Sequence, residues 1–149
     1  MNGSPEASPG FDDSKWQKTE GQRYSSITAR PDSQPNLLMD PYGFHDGDVW
    51  YRGRFAGGDA AERIRIYYGA GGSGMVQVFL DGKFVGQHEL PGGLPRPVTT
   101  GVAELPLPAE ARAPGQHVLA IMLRNNGHNW DLEADDFHKE ARGLVSVSL

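Results

Sequence analysis

Five histidines, His45, His88, His117, His128 and His138, and 19 carboxylates carry most of the reactive chemistry open to this chain. The densest group is HNWDLEADDFH, where His128 and His138 flank Asp131, Glu133, Asp135 and Asp136. A metal can be held by such a set. No two histidines stand at close ligand spacing, however, and a hydrated acidic loop is the commoner use of this composition, so no metal ligand is assigned. The adjacent pair Asp12-Asp13 matches no calcium loop and reads as a solvated turn. A glycosidase needs two carboxyl groups at a set separation, and nothing in the sequence places Glu133 and Asp46, or any other two, at such a distance. There is no Gly-x-Ser-x-Gly elbow. The glycine-rich GAGGSG (69–74) lacks the Lys-Ser/Thr ending of a phosphate loop, has no helix after it, and reads as a flexible loop. Cysteine is absent, which removes thiolate catalysis, thiolate metal sites and disulfides.

The composition nearest to a binding site lies around Trp130, which sits among Asn125, Asn126, Asn129 and Asp131. A flat ring for the apolar face of a sugar, with amides and a carboxylate for its hydroxyls, suits carbohydrate contact. A loop aromatic of this kind also serves as a wedge between domains, and both readings stand. His45, between Phe44 and Asp46, reads either as a hydrogen-bonded structural histidine or as one facing a ligand or a neighbouring domain.

The elements that must position these residues are strands. The 149 residues suit one domain with a sizeable core, and 20 Gly and 11 Pro break the chain into short segments, the pattern of an all-β fold. A net charge of −5 with no Lys/Arg cluster argues against nucleic-acid binding. No apolar run reaches the ~20 residues of a membrane helix. MNGSPEASPG, residues 1–10, has no signal-peptide core and is expected to be disordered, a linker or the edge of a piece cut from a larger protein. The domain proper is expected over residues 11–149. In FDDSKW, Phe11 and Trp16 are expected to pack while Asp12 and Asp13 stay wet.

Met75–Leu80 and the run beginning at Phe84 flank Asp81-Gly82, the signal of a two-residue type I′ hairpin. Val49–Phe55 alternates Val49, Tyr51 and Phe55 on one face with Trp50, Arg52 and Arg54 on the other. Arg63–Tyr68 directs Ile64, Ile66 and Tyr68 inward. Val98–Leu107 follows, and then Gln116–Leu123, apolar enough for a central strand. Leu144–Leu149 closes the chain with Val145, Val147 and Leu149 expected on one face. Seven or eight strands predict a β-sandwich with jelly-roll or similar connections.

With these residues in view, the chain resembles a jelly-roll, galactose-binding-domain-like accessory domain of the glycoside hydrolase family 35 β-galactosidases. FDDSKW resembles an opening common in such sandwiches. YGFHDGDVWYRGRF is similar to the family's YGYHxGxxxxRGxF through Tyr42, Gly43, His45, Gly47, Arg52, Gly53 and Phe55. VFLDGKFVG resembles the hairpin of galactose-binding-like folds. RNNGHNWDLEADDFHKEARG is similar to the family's DNxGxxxNWxxxxDxxKxPRG, with Ala141 where the family has Pro. The resemblance implies a parent enzyme that removes terminal β-galactosyl groups with two glutamates on a separate barrel. A barrel takes about 250 residues and does not fit in this chain. No catalytic residue and no cofactor are therefore assigned here, and the isolated chain is not expected to be an enzyme. The function implied is a non-catalytic sandwich that packs on the other domains of a β-galactosidase and touches the galactoside at the rim of its site. The alternative is a stand-alone galactoside-binding module using loop aromatics. Candidate contact residues are Trp130, Asn129, Asn125, Asp131, His45 and Phe44. A secreted location is inherited from the implied parent.

Overall fold

The computed structural model describes residues 4–18, 37–38, 47–58, 61–71, 73–92, 100–126 and 142–149. Among them are eight strands: β1 (Leu37–Leu38), β2 (Gly47–Ala56), β3 (Arg63–Gly69), β4 (Met75–Leu80), β5 (Lys83–Glu89), β6 (Thr100–Pro106), β7 (Gln116–Asn125) and β8 (Gly143–Ser148). They form two four-stranded antiparallel sheets, ordered β1-β8-β3-β6 and β2-β7-β4-β5. This is the all-β sandwich that the turn-punctuated sequence predicts.

The inner faces follow period 2. Ile64, Ile66 and Tyr68 of β3, Val76 and Val78 of β4, and Leu119, Ile121 and Leu123 of β7 are buried in one core. Full burial of such an aliphatic side chain contributes about 1.5–3 kcal/mol. Val49, Tyr51 and Phe55 of β2 pack against that core, as their alternation predicts. At the β4–β5 turn Asp81 has φ 48° and Gly82 φ 83°, the positive pair a type I′ hairpin requires.

Two bulges break the alternation. Val78 pairs with Gly86 but Phe79 pairs with Phe84, so β5 carries one extra residue. Val85 then packs on the core while Gly86 also turns toward the opposite sheet, where a Cβ would stand 3.1 Å from Leu105. In β8, Ser146 pairs with Tyr67 and Leu144 with Tyr68, leaving Val145 extra. Leu144 joins the core and Val147 packs on it, whereas Leu149 is exposed. The expected single face of Val145, Val147 and Leu149 is corrected accordingly.

Strand β7 is apolar on both faces. Val118, Ala120 and Met122 are buried on the side away from the core. The N-terminal segment helps to cover that side, so residues 4–10 differ from the disorder their composition suggests. Pro5–Ala7 forms a 3-10 turn and Ala7 is buried. Arg52 holds this strap: Nη1 donates to the backbone oxygens of Glu6 and Ser8, and Nε donates to Asp13 Oδ2 at 2.8 Å.

Candidate functional site

Chain direction brings the ends of β1, β3, β5 and β7 and the starts of β2, β4, β6 and β8 to one end of the sandwich. The β1–β2 and β7–β8 connections carry the stretches read for binding chemistry, and the β3–β4 connection is the glycine-rich one. Gly47 and Asn125 are register partners, so the chain enters β2 and leaves β7 side by side. The segments bearing Phe44 and His45, and Asn129, Trp130 and Asp131, thus attach to neighbouring points on one strand pair. Those five residues themselves lie outside the described residues, as does the acidic run through His138.

Asn125 is described. It is buried, and its Oδ1 accepts the Gly71 N–H at 2.8 Å. That bond ties the glycine-rich connection to the end of β7. Gly74 N donates to Gly71 O at 2.7 Å, and Leu90 N donates to Gly74 O at 2.8 Å. A Cβ on Gly74 would stand 2.9 Å from the Arg124 carbonyl oxygen and closer still to Ala70. The described part of GAGGSG is therefore packed and pinned rather than flexible, because its glycines permit close backbone approach. Beside it, Arg124 donates to both Asp48 oxygens, at 2.7 and 2.8 Å. This hydrogen-bonded guanidinium holds the Asp48 carboxyl below the usual range, although both side chains are wet.

Beneath this end Tyr68 Oη lies 2.8 Å from His88 Nδ1 and 3.2 Å from His88 O. Burial, with Glu89 adding to it, pushes the phenol well above its ordinary value, so Tyr68 is a neutral partner and not a base. Gly101 faces this pair, and a Cβ there would crowd Leu90 at 2.6 Å. Arg142, at the entry to β8, is fully buried. Among the described residues no group of three His, Cys, Asp or Glu side chains converges on a metal site. The described polar groups of this end tie the β3–β4 connection to the end of β7 and link β2 to β7.

Two polar constellations went unread in the sequence. Asp13, expected to stay wet, accepts from Arg52 Nε at 2.8 Å and from Arg54 Nη2 at 2.9 Å. Those bonds, Arg54's first, hold its carboxyl at about 2. Phe11 lies 5.5 Å from the Arg52 guanidinium and packs edge-on against Trp16. The sequence signal was the outward Arg-x-Arg of β2, which needs a carboxylate partner.

At the opposite end, His117 Nδ1 is 2.7 Å from Asp81 Oδ2 and Nε2 is 2.9 Å from the Ala113 carbonyl. Both neighbours are acceptors, so the ring satisfies both as an imidazolium. The Asp81 bond, then the Ala113 bond, raises the pKa of His117. Burial pushes Asp81 up, but His117 and the Val118 N–H together bring it below its usual value. Asp81 Oδ1 also accepts Val118 N–H at 2.8 Å, so the hairpin residue clips β4 and β5 to β7.

Residues 11–129 match the family model described as "Beta-galactosidase second all-beta domain". The chain is 30% identical over 145 residues to the "Probable beta-galactosidase B" of Sclerotinia sclerotiorum, covering 97% of this chain and 13% of that protein. It is 29% identical over 147 residues to the "Probable beta-galactosidase C" of Aspergillus fumigatus, covering 97% of this chain and 14% of that one. The chain thus spans about one-seventh of the length of these relatives. Among solved structures, a Bacteroides uniformis beta-glucuronidase 2 aligns over 85% of this chain and 13% of its own, with 21% identity and a TM-score of 0.49.

Proposed function

Because the chain belongs to the β-galactosidase second all-β domain family, an accessory domain by that membership, we propose that it works as a non-catalytic sandwich packed on the catalytic domain of a larger, secreted β-galactosidase. Its loop end, in this reading, faces the rim of the active site and touches the galactoside there. The observation that carries the proposal is the length relation: nearly all of this chain aligns within about one-seventh of each fungal relative. The register of β2 on β7 supports the choice of end, since it sets the attachment points of the Phe44-His45 and Asn129–Asp131 segments beside each other.

Deleting residues 11–149 from the parent tests the packing role. The expected result is a lower melting temperature and less active enzyme. If the parent loses nothing and the separate pieces do not associate, the reading fails. Rim contact is tested in the parent by Trp130→Ala. An interaction made equally in ground and transition states raises KM for a galactoside at constant kcat. An unchanged KM removes the rim contact and leaves the packing role alone.

A further inference from the structure

We propose, resting on the accessory-domain reading above, that the outer face of the β2-β7-β4-β5 sheet docks an apolar surface of a neighbouring domain of the same β-galactosidase, with Phe84 as the exposed anchor. The register lays that face out in rows. The row at the loop end is charged: Asp48, Arg124, Met75 and Glu89 lie side by side. The next two rows differ. Trp50, Met122, Gln77 and Gln87 form one. In the other, Ala120, Phe79 and Phe84 continue from Arg52, which the strap holds. Past Arg52, neither of these rows carries a charge.

The rings of this strip touch one another. Trp50 and Phe79 have centroids 5.6 Å apart, and Phe79 and Phe84 5.5 Å apart. Its polar pair is bonded within the sheet, since Gln77 Nε2 donates to Gln87 Oε1 at 3.3 Å. Trp50 and Phe79 are half-buried, but Phe84 is 56% exposed. A lone exposed Phe needs no explanation, whereas one that ends a continuous apolar strip marks an interaction surface. Aromatics and Met without charge, inside a charged rim, are the composition of a protein interface.

The opposite sheet supplies the contrast. Its outer face carries Arg63, Arg65 and Glu104, with side chains 50 to 72% exposed, and sets Tyr67 between Val102 and Ser146. That face suits water. The occupant of the aromatic face comes from the same protein, because the matched region is only 13–14% of each fungal relative and the remainder is tethered to it. Tethering raises the effective concentration, so a modest strip suffices for docking. The occupant's surface is apolar, since a charge set against Phe84 would be desolvated without a partner.

Hydroxyl-radical footprinting of the 149-residue chain and of the longer protein that contains it tests the assignment. Loss of Phe84 and Phe79 labelling is expected in the longer protein, with Val102 and Tyr67 labelled alike in both. Phe84→Glu is expected to restore Phe79 labelling there, to weaken association of the separated pieces at least about tenfold, and to leave the melting temperature of the 149-residue chain nearly unchanged. Val102→Glu, 40% exposed on the other sheet, is the control and should do none of this. Phe84 labelled equally in both forms overturns the proposal. Protection of a different face overturns it while the accessory-domain reading stands; protection of no face removes that reading as well. A dimer of the 149-residue chain in sedimentation, dispersed by Phe84→Glu, would make the occupant a second copy and also overturns it.

Discussion

Two side-chain clusters couple the stability of the domain to pH. Asp13 has a lowered pKa because it is bonded to Arg54 and Arg52. Its contribution to stability is therefore complete above the unfolded carboxylate value, about 3.9, and is lost as pH falls through about 2. His117 is shifted upward by Asp81 and the Ala113 carbonyl. Its contribution is complete below the unfolded histidine value, about 6.5, and is lost as pH rises through the higher folded value. Urea midpoints measured across pH should fall on both flanks, and Asp81→Asn should flatten the alkaline one. An alkaline flank unchanged by that substitution would sink the imidazolium assignment. Asp13→Ala leaves the buried Arg52 without its carboxylate and should destabilise the fold by about 2–3 kcal/mol. Neither cluster was legible as such. The sequence shows Asp13, Arg52 and Arg54 as charged residues, but not that a strap lays the first against the others.

At the scale of elements, the strands were read from alternation and the turns from Gly, Pro and Asp. The Ile64-Ile66-Tyr68 and Val76-Val78 faces and the Asp81-Gly82 turn came out as read. What alternation misses is a bulge, since one extra residue moves the following side chains to the other face. Val145 in β8 is that case, and nothing in LVSVSL marks it. Connections are governed by close approach. Gly57, after β2, donates its N–H to the Gly115 carbonyl at 2.8 Å. A Cβ on it would overlap the Ala113 carbonyl oxygen and crowd His117 Nε2 at 2.7 Å. Gly57→Ala should therefore cost about 1–3 kcal/mol and disturb the His117 latch. Thermal melting and the His117 ring signals by NMR check both effects; a neutral substitution would mean that the β2–β3 connection yields easily.

At the scale of the molecule, the strap of residues 4–18 is part of the fold. It lies on the sheet face that Val118 and Ala120 would otherwise expose, with Ala7 buried and Pro9 set near Gly82. Removing residues 1–18 should lower stability by about 2–4 kcal/mol and speed proteolysis; a truncated chain of unchanged stability would make the strap an ornament. The sequence by itself determined the fold class, the inward faces of the regular strands and the family, because period-2 hydrophobicity and turn chemistry are local properties of the chain. It also marked which segments carry binding-type residues. Only the tertiary structure decided that the β1–β2 and β7–β8 connections leave one end together, that Asn125 is spent on holding a loop, and that Asp13, Arg52 and Arg54 meet. Those facts join residues tens of positions apart, and their pairing depends on strand order and register, which no local pattern encodes.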